Sequence, residues 1–147
     1  MNRDSLSSVQ VKRAHSPYYY SANTAFQSEI IDTQGYDSLY FAIATGDLAD
    51  ADATFTVLMQ ESDNSNFSSA SDVADADLVS QTRGTAAETA ASFTFSDDNE
   101  VRTIGYIGSK RYVRLYVTPA NNTGVALVSI TAHLSRASQV PVTHADA

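Results

Sequence analysis

Apolar side chains occupy every second position in four segments of the chain, and this spacing constrains the fold more than any other feature. Successive side chains of a strand point to opposite sides, so a two-residue period predicts a strand with one buried side, whereas a helix needs 3.6 residues per turn. In the first segment Leu39, Phe41 and Ile43 share one side. The four segments are residues 36–46, 54–60, 111–118 and 125–134. They predict a core built from strands.

Shorter alternations add strand candidates at residues 25–31, 93–95 and 101–107. Residues 84–91 have some helical propensity, but the stretch is short and rich in Ala and Thr, so we expect a loop or a single turn there. Runs of strands with turn residues between them, and without alternating helices, indicate an all-β fold. We therefore predict an antiparallel β-sandwich, with jelly-roll connectivity as one option.

The turn residues also predict pairings and boundaries. Residues 36–46 and 54–60 are expected to pair antiparallel, and residues 111–118 and 125–134 to form a hairpin across the Asn121-Asn122-Thr123-Gly124 turn. The 147 residues have the length of one domain. Neither terminus shows a pattern able to bury itself, so we expect an N-terminal arm at 1–20, a sandwich at 21–136 and a C-terminal tail at 137–147.

Charge is distributed unevenly along the chain. The net charge is −8, and residues 14–82 contain eleven acids without a Lys or Arg. This charge disfavours nucleic acid and anionic membranes as partners. Two interpretations of the uneven pattern stay open: complementary contacts between copies or with a partner, and simple solubility. The start Met1-Asn2-Arg3-Asp4-Ser5 carries no apolar run, so we expect no secretory signal.

Two Asp-rich strings share the spacing D-x-x-D-x-D and are the metal-site candidates. Clustered carboxylates on a loop can bind Ca²⁺, which takes six to eight oxygen ligands. Both strings lack the glycine and the distal Glu of an EF-hand loop, so we favour solvated turns and predict no metal and no cofactor. The candidate ligands are Asp47, Asp50 and Asp52 in the first string and Asp72, Asp75 and Asp77 in the second.

Enzymatic activity is disfavoured. The chain has no Cys, which excludes disulfides, thiolate zinc sites and thiol nucleophiles. No nucleophile elbow or phosphate-binding glycine motif is present. His133 has the outward parity of its strand, and His15 and His144 lie in the polar terminal segments, so we expect none of the three in a pocket. We predict no catalytic residues.

Two groups of residues are typical of an assembly surface. Tyr18, Tyr19 and Tyr20 follow one another, so a strand cannot turn all three into one core. Lys110, Arg111 and Arg114 crowd onto one predicted strand. On an acidic molecule, carboxylates of a neighbouring subunit are the expected target of these cations. The alternative for the tyrosines is a structural role, in which they pack over an edge of a sheet within the chain.

Several spaced motifs between residues 30 and 135 resemble a family of small structural proteins from the morphogenesis clusters of tailed bacteriophages. The C-terminal half carries Ile104-Gly105-Tyr106-Ile107-Gly108-Ser109-Lys110-Arg111-Tyr112-Val113-Arg114-Leu115, then Thr118-Pro119-Ala120 and Asn122-Thr123-Gly124. The middle carries Asp32-Thr33-Gln34-Gly35-Tyr36-Asp37-Ser38-Leu39 and Leu58-Met59-Gln60-Glu61-Ser62-Asp63, with Phe67, Asp72-Val73 and Asp77-Leu78.

The resemblance implies a virion component, first of all a head decoration or cement protein of β-sandwich type on the outer capsid surface. It implies the major capsid protein and further copies of the chain, as a homodimer or homotrimer, as partners, with assembly in the host cytoplasm. A tail or head-to-tail component is the alternative within this class. The alternative from another class is a carbohydrate- or receptor-binding β-sandwich, in which exposed Tyr and an Asp-rich loop would bind the ligand.

Overall fold

The alternating segments fold into two antiparallel sheets that pack face to face, in a computed structural model that describes residues 3–142 and 144. Eleven strands and one short helix, α1 (Ala87–Ala91), make up the regular structure of the described residues. The strands are β1 (Gln10–Tyr20), β2 (Phe26–Gln27), β3 (Ile31–Asp32), β4 (Tyr36–Leu48), β5 (Thr54–Ser62), β6 (Ser71–Asp72), β7 (Leu78–Ser80), β8 (Phe93–Thr94), β9 (Val101–Tyr106), β10 (Tyr112–Ala120) and β11 (Ala126–Ala137). Two 3₁₀ turns lie at Leu6–Ser8 and Asp75–Asp77.

The strand order shows how the chain alternates between the two sheets. One sheet has the order β1-β11-β4-β9-β7; the other has β2-β10-β5-β6, with β3 also pairing β10 and β8 also pairing β5. Consecutive long strands therefore lie in opposite sheets: β4 and β5, β9 and β10, β10 and β11. This is jelly-roll connectivity. The predicted antiparallel sandwich is confirmed.

The core lies between the sheets and consists of the side chains that the alternation marks as buried. Phe41 and Ile43 of β4 are fully buried and face the other sheet, where Phe55, Val57 and Met59 of β5 are also buried. Burial of each such side chain contributes roughly 1.5–3 kcal/mol to the free energy of unfolding. The packing of these two inner faces thus holds the sheets together.

Both predicted pairings are wrong, because the chain crosses to the other sheet at each turn. β4 pairs with β11 and β9, whereas β5 pairs with β10, β6 and β8. Alternation identifies the buried side of a strand but does not say which sheet the strand joins. At the turn between β10 and β11, the buried Asn122 side chain donates to the carbonyl oxygens of Tyr20 and Ala22, at 3.2 and 3.3 Å. These bonds attach the turn to β1 and carry the chain to the opposite sheet.

Residues 10–20, which the sequence assigns to an arm, form the edge strand β1. This strand pairs antiparallel with β11, from Gln10 opposite Leu134 to Tyr20 opposite Ala126. Only Ala14 is buried along the strand, so no apolar alternation marks it in the sequence. The C-terminal tail runs back past this end of the sandwich: the Val142 N–H donates to the Ser7 carbonyl. Residues 143 and 145–147 of the predicted tail lie outside the described residues.

The short helix α1 completes an edge of the second sheet. Between its pairings with β6 and β8, strand β5 has backbone groups without a strand partner. The Glu88 carboxylate accepts from the Met59 N–H at 2.9 Å, and the Ser92 hydroxyl accepts from the Val57 N–H at 2.9 Å. A single helical turn thus closes the gap, as the propensity predicts. None of the described helices has the length or apolar character needed to cross a membrane.

Candidate functional site

An aromatic cluster covers the outer edge of the sandwich where β1 of one sheet meets β2 of the other. The rings of Tyr20 and Phe26 stack at 4.0 Å, and those of Tyr18 and Tyr19 stack at 5.3 Å. Tyr18 also meets Tyr20 edge-on at 5.1 Å. Tyr18 and Tyr19 are each 55% exposed, whereas Tyr20 is half-buried. We call His15, Tyr18, Tyr19, Tyr20 and Phe26 the aromatic edge.

A register shift in β1 places these rings side by side. The pairing with β11 is irregular between His15 and Tyr18, where Pro17 has no N–H to donate to a neighbouring strand. The shift ends at Tyr18, and Tyr18, Tyr19 and Tyr20 then pair in regular register with Val128, Leu127 and Ala126. An exposed tyrosine pair on an edge strand is the kind of surface that is enriched at protein interfaces.

The aromatic edge borders an open groove of about 480 Å³ between β1 and β2. Arg13 and Glu29 approach to 3.9 Å along this groove, and the Arg13 guanidinium donates to the Ser16 hydroxyl at 3.1 Å. Gln27 contributes an amide to the lining. The groove therefore combines aromatic rings with a cation, a carboxylate and an amide.

His15 lies in this groove, so the prediction that none of the histidines is set in a pocket is wrong. As part of a strand and not of an arm, His15 stands opposite Ile130, and its ring lies 5.2 Å from Phe26. Its Nε2 is 2.6 Å from the Tyr20 hydroxyl, while its Nδ1 is buried without a hydrogen-bond partner among the described residues. Burial lowers the pKa of His15, which favours the neutral ring.

The other two histidines lie elsewhere. His133 stacks on Tyr40 at 4.6 Å on the outside of the first sheet, and its Nε2 is 3.0 Å from the Thr131 hydroxyl. His144 Nε2 is 2.9 Å from the Leu6 carbonyl oxygen.

The predicted basic group occupies the turn between β9 and β10 and the first part of β10, and its ion pairs lie within the chain. Arg111 binds the Asp32 carboxylate through two nitrogens at 2.8 Å each, and Lys110 Nζ lies 2.6 Å from Asp63. The Arg111 bond is the main reason that the pKa of Asp32 is lowered. Carboxylates from the acidic middle of the same chain thus bind these two cations, where the sequence predicts carboxylates of a neighbouring subunit.

Arg114 is the third cation of this group, and its partners are uncharged. Its Nε donates to the Gln60 side-chain oxygen at 3.1 Å, across the β10–β5 pair. Its guanidinium lies 4.3 Å from the centre of the Phe67 ring. Arg114 therefore covers the loop that follows β5.

Tyr106 packs beneath the basic turn and binds it, although no sequence pattern marks Tyr106 as a site residue. Its buried hydroxyl donates to the Glu61 carboxylate at 2.6 Å and accepts from the Lys110 N–H at 2.9 Å. Burial first, and then the Glu61 carboxylate, raise the pKa of Tyr106. A Cβ on Gly108 would come within 2.6 Å of the Tyr106 ring, so only glycine fits there without displacing the ring.

Each Asp-rich string starts at the end of a strand, with Asp47 in β4 and Asp72 in β6, and continues into a turn. Asp50 accepts from the Thr123 N–H and hydroxyl, both at 2.7 Å, and these bonds lower the pKa of Asp50 to about 2. This carboxylate ties the first string to the β10–β11 turn. In the second string, Asp75 and Asp77 form a 3₁₀ turn. Across residues 3–142 and 144, no group of three or more His, Asp or Glu side chains is placed to hold a metal ion.

The tyrosines can be identified from the sequence, but the residues beside them that complete the aromatic edge and the groove cannot. His15, Phe26 and Glu29 reach the site through the pairing of β1 with β11 and of β2 with β10. No sequence spacing signals this meeting, because it joins the edges of two different sheets.

No protein-family model and no curated protein matches the chain. Among solved structures, the PBSX exported protein XepA is 16% identical, with a TM-score of 0.49, over 92% of this chain and 40% of that one. The Clostridium thermocellum xylanase 10B CBM22-1–GH10 modules complexed with xylohexaose are 9% identical, with a TM-score of 0.44, over 96% and 28%. The xylan-binding module CBM15 is 13% identical, with a TM-score of 0.40, over 92% and 95%.

This chain thus spans less than half of the first two structures. At such identities and TM-scores these likenesses carry no argument about function. The phage structural family stays a prediction from the sequence motifs.

Proposed function

We propose that the protein is a structural component of a tailed-phage virion that decorates the outer surface of the capsid and stabilises the head by bridging capsomers. The motifs between residues 30 and 135 support the virion class. The aromatic edge supports binding to another protein. In this proposal it is the surface that contacts the major capsid protein. The exposed stack of Tyr18 and Tyr19 is the observation that carries this assignment.

The position of the stack suits a docking role. Within residues 3–142 and 144, β1 is the outermost strand of its sheet, with β11 on one side and no strand of that sheet on the other. Tyrosine offers a large contact area with few rotatable bonds and a hydroxyl that can hydrogen-bond at the rim. Arg13 and Glu29 beside the stack provide polar groups for such a rim.

A second predicted contact with the capsid is the basic group Lys110, Arg111 and Arg114. Its contribution to the binding free energy depends on ion pairs that already exist within the chain. Arg111 and Lys110 already bind Asp32 and Asp63. Contact with a capsid carboxylate would exchange one exposed ion pair for another, and such pairs contribute only about 0–1 kcal/mol each. In this proposal the tyrosines therefore provide most of the affinity.

Co-sedimentation with phage heads that lack the protein tests the proposal. The double variant Tyr18→Ser/Tyr19→Ser should bind at least about tenfold more weakly than the wild type, because buried tyrosines are frequent interface hot spots. Phe95→Ser is the matched control, since Phe95 is also exposed, at 41%, but lies away from β1. Point variants are needed because deletion of β1 would remove one of the two strands that pair with β11.

The wild type should also raise the melting temperature of the heads. Failure to bind heads would refute decoration, and binding to isolated tails in place of heads would assign the protein to the tail or the head-to-tail junction. Equal binding of the wild type and the tyrosine variant would show that another surface docks.

The groove favours a carbohydrate- or receptor-binding function as the second candidate. Aromatic rings beside Arg13, Gln27 and Glu29 can stack on a sugar and hydrogen-bond to its hydroxyls. Titration calorimetry with a panel of soluble oligosaccharides should then give binding that Tyr18→Ser and Glu29→Gln each weaken. Absence of binding across the panel, together with binding to heads, would exclude this candidate in favour of decoration.

A further inference from the structure

Four strands of the first sheet, β11, β4, β9 and β7, share an outer patch without charged side chains on an otherwise acidic molecule. The register places Tyr40 beside His133 and Gly105, and Ala42 beside Thr131 and Thr103. A third row places Ala44 beside Ser129 and Val101. In these three rows, the outward side chains of β11, β4, β9 and β7 are small, aliphatic, hydroxylated or aromatic. None of them is Asp, Glu, Lys or Arg. We call this surface the neutral face.

Charges appear only at the borders of the neutral face. Asp47 lies in the β4 bulge opposite Leu127 and marks one end. Arg13 of β1 marks one side, where it approaches Glu29. The outer face of the second sheet, by contrast, carries Arg114 and Asp32. The charge-free patch is therefore particular to four strands of one sheet and does not follow from the composition.

The charge of the molecule points to the partner that such a face fits. Two copies that each carry −8 repel each other when acidic surfaces meet. Contact through the neutral face avoids the juxtaposition of like charges and removes no charged group from water. Apolar side chains are also exposed there: Tyr40 by 41%, Val79 by 47% and Val101 by 63%.

The shape of the neutral face, a raised stacked pair beside a hollow, is suited to self-association. Tyr40 and His133 form a flat stacked pair at 4.6 Å and 1°. Beside this ridge lies a hollow of about 400 Å³, lined by Tyr40, Val79 and Gly105 among others. A two-fold interface brings the same patch from both copies together, so a ridge next to a hollow can complement itself.

The size of the face limits how strong such a contact can be. Three rows on β11, β4 and β9, together with Val79 of β7, make ten outward positions of about 4.8 by 6.8 Å each, or about 330 Å² of area. Two copies would bury roughly 650 Å², less than the roughly 1,000 Å² of a stable interface, which predicts weak and reversible association.

We infer that a second copy of this chain packs against the neutral face as a two-fold dimer, sheet against sheet. The small side chains of Ala42, Ala44 and Thr103 let the backbones approach, and the Tyr40–His133 ridge of each copy enters the hollow of the other. This inference does not depend on the proposed function.

Sedimentation velocity and light scattering over a range of about 1–200 µM test it, since association of this area is concentration-dependent. The wild type should reach twice the chain mass of 15.8 kDa as the concentration rises. Ala42→Glu, at the centre of the face, should weaken association at least tenfold by placing two carboxylates in the interface. Val101→Glu should act in the same direction, and the 63% exposure of Val101 means that this change leaves the fold intact.

Thr56→Glu is the matched control, because Thr56 is exposed on the outer face of the other sheet. It should associate like the wild type, and circular dichroism should show all variants folded. A wild type that stays monomeric over the whole range would overturn the inference, as would glutamate variants that still dimerise. A monomer whose Ala42→Glu variant loses binding to phage heads would assign the neutral face to the capsid protein instead.

Discussion

Removal of the Tyr106 hydroxyl should destabilise the fold by a predictable amount. Tyr106→Phe deletes one hydrogen bond to a carboxylate, Glu61, and one from a backbone N–H, that of Lys110. Bonds to charged groups contribute about 1.5–3 kcal/mol and neutral ones about 1 kcal/mol. Glu61 is partly exposed, so water replaces part of the loss. We expect the free energy of unfolding to fall by about 2 kcal/mol.

Urea unfolding followed by circular dichroism measures this change. The midpoint should fall while the slope with urea stays constant, because the surface exposed on unfolding is unchanged. Thermal unfolding should show a drop of about 4–8 °C. Tyr112→Phe is the control, since the Tyr112 hydroxyl has no hydrogen bond within the described part of the chain. A loss below about 0.5 kcal/mol for Tyr106→Phe would refute the assigned role of this hydroxyl.

Three further changes test other parts of the fold. Gly108→Ala should cost about 1–3 kcal/mol in urea unfolding, because the new methyl group meets the Tyr106 ring. Glu88→Gln should keep the bond from the Met59 N–H and raise the melting temperature at pH 7, because burial raises the pKa of Glu88 and ionisation is costly there; a fall would contradict this. Burial lowers the pKa of His15 and His133 below 6.5, so as the pH falls through 6.5 the unfolded chain takes up protons first. Stability should therefore decrease from pH 7 to 5.5, and the double variant His15→Gln/His133→Gln should flatten this slope in thermal unfolding.

The buried face of each long strand can be predicted from the sequence, but the strands that it pairs with cannot. Phe41 and Val113 are buried as the alternation predicts, because a pleated strand leaves no other arrangement for every second side chain. The same alternation fits a hairpin and a crossover equally well. The difference rests on long-range contacts, such as those of Asn122 with Tyr20 and Ala22, that no local pattern records.

The candidate site can also be predicted only in part from the sequence. Tyr18 and Tyr19 can be selected from the sequence because consecutive aromatics cannot all enter one core. The groove beside them forms only when the edges of the two sheets meet, which brings Glu29 to Arg13. The cations at 110 and 111 are visible in the sequence, but their partners, from 47 to 79 positions away, are not.

The pairing of β1 with β11 sets the time at which this protein can fold. β1 ends at residue 20, whereas the strand that it pairs with starts at residue 126 and is synthesised later. At about 5–20 residues per second, the first sheet waits roughly 5–20 s for β11, which is also the partner of β4. Until then Phe41 and Ile43 face water, and the exposed strands can pair with other chains. Completion of the fold therefore waits for β11 and is slow, as expected for contacts so distant in sequence.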